Sequence, residues 1–466
     1  MSGAHDLRIE ETPIAGLLIV DLPVHGDARG WFKENWQRRK MVALGLPDFG
    51  PVQNNVSFND AVGTTRGIHA EPWDKLVSVA TGRVFGAWVD LREGEGFGTV
   101  FTAEIGVDRA VFVPRGVGNA YQTLDPDTAY SYLVNEHWSP EAEYTFLNLA
   151  DERSAVPWPI PLDRAEISDK DRRHPRLEQV APVPPRPPVV VGGDGQLGRA
   201  LRSVLPEAVF LTRVDLDLAD AAAVAAHDWS RYSAIVNAAA FTDVDGAETD
   251  AGRATAWRVN ATAPGLLAEA ARAHRLLLVG VSTDYVFDGE RADHREDEPV
   301  APLGVYGQTK AAGELVTATA PEHYVVRTSW VVGEGSNFVR TMHRLAGTGV
   351  DPAVVDDQFG RLTFADELAR ALRFLLETRP PSGLYHVSNS GPVRSWHDIA
   401  RRVFELSGAD PDRVSSTSTI EYGAGRSMAP RPRHSDFDLD RIRSVGFDPR
   451  DQDEQLAAYV AALDGR

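Results

Sequence analysis

The apolar positions change their period once along the chain. Before residue 135 they fall in short β-rich runs at 16–22, 76–80, 84–91, 110–114 and 130–134, parted by turns rich in Gly, Asp and Pro such as 92–98. Many short strands with few helical stretches predict an all-β sandwich or barrel. Beyond Pro188 strands and helices alternate: a strand at 189–191, a helix at 196–204, a strand at 234–237, a helix at 261–273 and a strand at 276–281. That alternation predicts a parallel sheet covered by helices. No internal repeat is found.

Between the two patterns lies HPRLEQVAPVPPRPP, residues 174–188, whose prolines lack backbone donors and favour an extended, semi-stiff linker. The expected organisation is therefore a multidomain chain: a β domain at 1–177, a linker at 178–188 and an α/β domain at 189–466. The length of 466 residues agrees, being too great for one ordinary core.

Composition narrows the chemistry. The chain has no Cys, which removes disulfides, thiolate metal sites and thiol catalysis. Residues 1–11 are polar and acidic without an apolar signal-peptide core, and no apolar run reaches the length of a membrane span, so a cytoplasmic protein is expected. A formal net charge of −19 argues against nucleic acid as a partner. It leaves room for an anionic small molecule, because a few placed Arg and Lys bind a diphosphate locally.

In the second half, the strand at 189–191 runs into GGDGQLG, where Gly192, Gly195 and Gly198 allow a tight turn, close backbone approach and close helix packing. Gln196 and Leu197 then open a helix whose N-terminus offers free N–H groups to a pyrophosphate. About twenty residues on, Arg213 suits a ribose 2′-phosphate and favours NADPH, with NADH as the alternative; an exposed loop Arg reads equally well. Thr283 ends an apolar strand, and Tyr306 and Lys310 stand four apart on one helix face. The Lys ammonium is expected to favour the phenolate and lower the Tyr pKa, while Thr283 holds a substrate carbonyl.

With VNAAAFTDVDGAE (236–248), VSTDYVFDG (281–289), YGQTKAAGE (306–314), VRTSWVVG (326–333), DDQFGRLT (356–363) and RPRHSDFDLD (431–440), this half resembles the extended short-chain dehydrogenase/reductases, and within them the dTDP-4-dehydrorhamnose reductase family. The resemblance implies a Rossmann fold with a small C-terminal substrate subdomain. It makes Thr283, Tyr306 and Lys310 catalytic and places Asp217, Leu218, Ala238, Ala239, Ala240 and Thr242 against the cofactor. Tyr285, Trp330, Asn337 and Arg431 would meet the sugar nucleotide, and Asn237 caps its strand end. Leu362 stands where the family usually has Pro.

The first half carries a polar cluster. In DARGWFKE (27–34), Arg29 and Glu34 do not share one regular strand face, which implies a turn or bulge at Gly30. Gln53, Asn55, Arg66, His69 and Lys75 follow. A lone His in a β domain is more often a structural hydrogen-bonder than a base. With one central His and few carboxylates, no metal is expected.

The order DxRGxFxE, QxNxS, RGIH, KL, VDLR, PRG and SDKD resembles the dTDP-4-dehydrorhamnose 3,5-epimerases over about 7–177, which implies a cupin-like jelly roll. On that resemblance His69 is a base oriented by Asp171, Tyr132 is the acid on the opposite sugar face, and Lys75 sits near the ketone oxygen. Arg29, Phe32, Glu34, Gln53, Asn55 and Arg66 would bind nucleotide or sugar. Asn119 replaces the usual His of PxGxxHGF, the segment from His69 to Lys75 is shortened, and His137-Trp138 replaces a Tyr-Tyr pair.

The expected function is bifunctional: 3,5-epimerisation of dTDP-4-keto-6-deoxyglucose, then NADPH-dependent reduction of the C4 ketone, in a homodimer. The alternatives are an epimerase/reductase pair for another deoxysugar nucleotide, or an NADP-binding regulator without turnover.

Overall fold

The computed structural model describes residues 6–464, so the first five residues of the polar N-terminal segment lie outside the described residues. The chain divides into two compact units, Met1–Pro185 and Arg186–Arg466.

Among the described residues the first unit is built on thirteen strands: β1 (Arg8–Glu11), β2 (Leu18–Asp21), β3 (Val24–Asp27), β4 (Gly30–Lys33), β5 (Gln53–Asn59), β6 (Thr65–Ala70), β7 (Lys75–Thr81), β8 (Val84–Asp90), β9 (Val100–Ile105), β10 (Arg109–Val113), β11 (Val117–Thr123), β12 (Thr128–Val134) and β13 (Thr145–Phe146). One antiparallel sheet has the order β1-β2-β10-β7-β12-β5 and a second the order β13-β6-β11-β8-β9. Alternate residues of both sheets, among them Val77, Val79, Val111, Trp88 and Tyr121, meet in one buried cluster, so the sheets pack face to face. The β3–β4 hairpin stands apart from both sheets. Its turn precedes Gly30, whose φ of +132° suits glycine.

The Pro-rich stretch is not a free linker over its whole length. Leu177 and Val180 are buried in the first unit's core. The Val183 N–H donates to the Leu91 carbonyl at 2.7 Å, and the Val183 carbonyl accepts from the Glu93 N–H at 2.9 Å. Apolar side chains at this spacing are worth more buried than extended in water. At its far end Pro188 already begins the next strand, a position where a missing N–H is tolerated.

The second unit holds a six-stranded parallel sheet in the order Val209–Leu211, Pro188–Val191, Ala234–Asn237, Leu277–Thr283, His323–Thr328, Gly383–His386. Successive residues of each strand point to opposite faces. Val190, Val236 and Val279 pack on helices Gln196–Val204 and Ala365–Thr378, while Val189, Ile235 and Leu278 pack on Ala221–Ala226 and Ala263–His274. Apolar runs without alternation follow from burial on both faces. The helix expected at 261–273 begins differently: Asp250–Trp257 passes through a wide turn at Arg258–Thr262 into Ala263–His274. Pro264 stands in the first turn of that last helix, where a missing amide hydrogen is tolerated. A separate apolar cluster joins helices Phe338–Ala346, Trp396–Leu406 and Gln452–Asp464.

Candidate active sites

In the first unit a cavity of about 500 Å³ opens between the two sheets. His69, on β6, and Asn119, its cross-strand partner on β11, come from one sheet. Lys75 on β7 and Tyr132 on β12 come from the other, so the His and the Tyr face the cavity from opposite walls. Arg66 lines it as well, its Nε donating to Asn59 Oδ1 at 3.1 Å.

His69 Nε2 donates to Asp171 Oδ1 at 3.1 Å. Asp171 sits in the short helix Asp169–Arg172, where Ser168 caps its N–H, and its second oxygen accepts from the Gly67 N–H at 3.4 Å. Burial pushes the Asp171 carboxyl up. The hydrogen bond and charge of His69, the Gly67 N–H and the charge of His174 outweigh it, and the carboxyl ends below its ordinary value. The ionised carboxylate fixes Nε2–H on the imidazole and leaves Nδ1 as the free lone pair. Lys75 is buried and ion-paired with Glu71 at 3.2 Å. Burial first, then the charge of Glu71, raise the Tyr132 pKa and keep a proton on its hydroxyl. Asn119 Oδ1 accepts from the Tyr130 hydroxyl at 3.2 Å.

Other expected residues lie elsewhere. Arg29, Phe32 and Glu34 sit on or just beyond the exposed β3–β4 hairpin, Arg29 paired with Asp27 and Glu34 with Lys40. Gln53 and Asn55 bond each other on β5 and do not line this cavity. The sequence reading missed Glu71, the stacked pair Tyr121–Tyr130 at 4.1 Å, and His174. It also counted one central His, and this is corrected: His174 Nε2 lies 3.7 Å from Asp171 Oδ1, against the same carboxylate. The signal was present, since a His three residues beyond an N-capped Asp is returned to it by one helical turn.

In the second unit two cavities of about 460 and 320 Å³ meet at the carboxyl ends of the parallel strands and share Gly195 and Ala238–Ala240. The smaller one holds Gly192, Arg213, Asp217 and Leu218. The larger holds Gln196, Leu197, Thr242, Thr283, Tyr285, Tyr306, Lys310 and Trp330, together with Ser329 and Trp396, which the sequence reading did not single out. Trp396 stacks on Trp330 at 3.8 Å.

The glycines are sterically required. Gly192 has φ +84°, and a Cβ there would meet Ala239 N at 2.6 Å; a Cβ on Gly198 would meet the Gly192 carbonyl at 2.4 Å. Among the described residues, helix Gln196–Val204 starts at Gly195 with no side-chain cap, and the buried Gln196 Oε1 has no partner. Bare N–H groups at a helix start, an orphaned amide and an exposed Arg213 fit a dinucleotide with a phosphate at each end of the cleft. Arg213 itself lies 3.6 Å from Asp217.

Thr283 ends its strand and donates to Asp284 at 2.8 Å. Burial pushes the Asp284 carboxyl up to about 6. The expected Tyr–Lys electrostatics are corrected here. Lys310 Nζ donates to the Val281 carbonyl at 2.6 Å, and burial lowers its pKa to about 8. Burial, then the charge of Asp284, push Tyr306 up to about 12 against its hydrogen bond with Thr283. Burial dominates for both groups, so Tyr306 is a protonated phenol, suited to giving a proton. Asn337 caps helix Phe338–Ala346 and donates to Tyr459 and Gly333, while Arg431 binds Asp245 at 3.0 Å; neither lines the two cavities. Asn237 Oδ1 accepts from the Ala239 N–H at the strand end. Leu362 is fully buried in the apolar cluster of the C-terminal helices.

Two family models match the chain: the RmlD substrate binding domain over residues 188–464 and dTDP-4-dehydrorhamnose 3,5-epimerase over 11–179. The first half is similar to the protein RmlC homolog of Streptococcus pyogenes, 49% identical over 186 residues, 38% of this chain and 92% of that one. The second is similar to a dTDP-4-dehydrorhamnose reductase of Streptomyces griseus, 41% identical over 60% of this chain and 96% of that one. It also matches a solved dTDP-4-dehydrorhamnose reductase of Bacillus anthracis in complex with NADP, with a TM-score of 0.54 and 32% identity over 60% of this chain and 99% of that one.

Proposed function

Because the chain belongs to the dTDP-4-dehydrorhamnose 3,5-epimerase family in its first half and to the RmlD substrate binding domain family in its second, we propose that it performs two successive steps on one sugar nucleotide. The first unit, read as a jelly roll, inverts C3 and C5 of dTDP-4-keto-6-deoxyglucose. The second, read as a Rossmann fold with a C-terminal substrate subdomain, reduces the C4 ketone with NADPH to give dTDP-L-rhamnose. The observation that carries this reading is the opposition of His69–Asp171 and Tyr132 across one cavity.

Inversion at a carbon next to a ketone needs a proton removed from one face and returned to the other. His69 Nδ1 takes the proton, and Asp171 stabilises the imidazolium that results. Lys75 stabilises the enolate oxygen, with Asn119 as a neutral donor where the family has His. Tyr132, held protonated, delivers a proton from the opposite wall.

In the second unit Gly192, Gly195 and the bare helix start would hold the pyrophosphate, and Arg213 the 2′-phosphate. When bound, the dinucleotide supplies the hydride. Thr283 orients the ketone oxygen, Tyr306 gives it a proton, and Lys310 holds the local charge. Joining the domains raises the local concentration of the ketosugar that passes between them. A cytoplasmic location accompanies this reading, since both reactants are anions that do not cross bilayers unaided.

The reading includes a homodimer. β5 is the last strand of its sheet and exposes Val56 and Phe58, and the hairpin exposes Trp31 and Phe32. A second copy on that edge would cover this apolar surface and bring Arg29 and Glu34 into a site. Phe58→Asp should then yield a monomer in sedimentation.

The deciding assay is deuterium uptake from heavy water at C3 and C5 of the ketosugar, read by NMR. Uptake at both carbons is expected. Uptake at one carbon would indicate a mono-epimerase, and none in a folded protein that binds the nucleotide would make the first unit a binding module.

A further inference from the structure

Beside the reacting face of His69 the structure gathers a donor set one member of which, His174, the two-step reaction does not use. One ligand atom each from His69, Asp171 and His174 lies within 4.8 Å of the others. Asp171 Oδ1 is 3.1 Å from His69 Nε2 and 3.7 Å from His174 Nε2. Tetrahedral bonds of about 2.0–2.1 Å require about 3.3 Å between ligand atoms, so modest side-chain adjustment suffices.

His174 is the second, independent observation. Its side chain is only 6% exposed, and among the described residues neither ring nitrogen has a hydrogen-bond partner. A buried imidazole normally satisfies both nitrogens. The ring is held in place, stacked on Phe146 at 4.7 Å, and its backbone carbonyl accepts from Asn148 Nδ2 at 2.9 Å.

We propose that His69, Asp171 and His174 form a site for a divalent transition-metal cation of the zinc class, and that filling it switches off proton transfer in the first unit. Two imidazoles and one carboxylate are borderline ligands that suit zinc and leave coordination open toward the cavity. His69 is one-third exposed on that side, which provides an entry. Two ammonium groups stand nearby: Lys75, neutralised by Glu71, and Lys170, placed over the Phe146 ring. Asp171 supplies the negative charge of the site. A cation on Nε2 displaces its proton and leaves the neutral imidazole protonated at Nδ1, so the lone pair that would accept the substrate proton is lost.

The consequence for inhibition rests on His69 being the base; the binding site does not. The test uses the full chain freed of metal with a chelator and titrated with zinc chloride by calorimetry, and with cobalt chloride by visible absorption. The expected result is one site per chain that weakens in His174→Phe, which keeps the ring stacking and removes both nitrogens, by at least the roughly 10–100-fold that loss of a mere outer-shell partner costs. Zinc should stop deuterium uptake with the same midpoint, normalised to each variant's metal-free rate, and should spare NADPH oxidation with pre-epimerised substrate. Equal binding by wild type and His174→Phe, or no binding, overturns the proposal. If His174→Phe loses its circular-dichroism signature, His174→Gln decides by the same criterion. A metal-free protein that exchanges no deuterium yet loses zinc in His174→Phe would overturn the base and leave the site standing.

Discussion

At the scale of single residues, desolvation sets the chemistry of both sites. Lys310 is buried against the Val281 carbonyl, and its pKa falls from 10.5 to about 8. A lowered pKa means that the cation is lost from pH about 8 upward, well before a free lysine would lose it. The reductase kcat/KM should therefore fall as pH rises through that value, and in Lys310→Arg the falling limb should move to higher pH. An unmoved limb would assign the titration to another group. Asn119 is the other telling position. Asn119→Ala removes the acceptor of the buried Tyr130 hydroxyl and should cost about 1–3 kcal/mol in denaturant unfolding. Asn119→His should retain deuterium exchange. For the cofactor, Arg213→Ala should raise KM for NADPH more than for NADH; an equal change would return Arg213 to its pairing with Asp217.

At the scale of elements, the turn from Pro188–Val191 into Gln196–Val204 leaves the least freedom. Three backbone segments meet there at distances no Cβ tolerates. Gly198→Ala should destabilise the second unit by about 1–3 kcal/mol through overpacking and should abolish dinucleotide binding in fluorescence titration. Normal binding would show that the turn relaxes and that the bare helix start is not where the pyrophosphate sits. This element was legible in advance because its signal is local: an apolar run, three glycines at fixed spacing and an amphipathic helix. The short helix Asp169–Arg172 was not. Its four residues carry no periodicity, so the pairing of Asp171 with His69 was legible only through the family resemblance, and docking beside β6 is what brings the two together.

At the scale of the whole molecule, two units with separate sites should be separable in activity. Tyr306→Phe should abolish NADPH oxidation and leave deuterium exchange intact, whereas His69→Ala should lose deuterium exchange and still oxidise NADPH when given pre-epimerised substrate. Loss of both activities in either variant would contradict two independent sites. The place to cut is narrower than the Pro-rich composition suggests. Val180 and Val183 belong to the first unit and Pro188 to the second, so proteolysis engineered at 184–187 should release two folded halves. Cutting at Val180 should instead destabilise the first.

By itself the sequence determined whatever is encoded over a few neighbouring residues. The change of period near Pro188, the glycine turn, and Tyr306 with Lys310 on one helix face are of this kind. Only the tertiary structure decided the rest. It set His69 and Tyr132 on opposing sheets, brought His174 to the same carboxylate as His69, and left Arg29 and Phe32 on an exposed hairpin. It also reversed the expected direction of the Tyr306 pKa, because water is excluded from a pocket assembled by strands far apart in the chain. Local propensity and period act through neighbours along the backbone, whereas desolvation and side-chain convergence depend on packing across it.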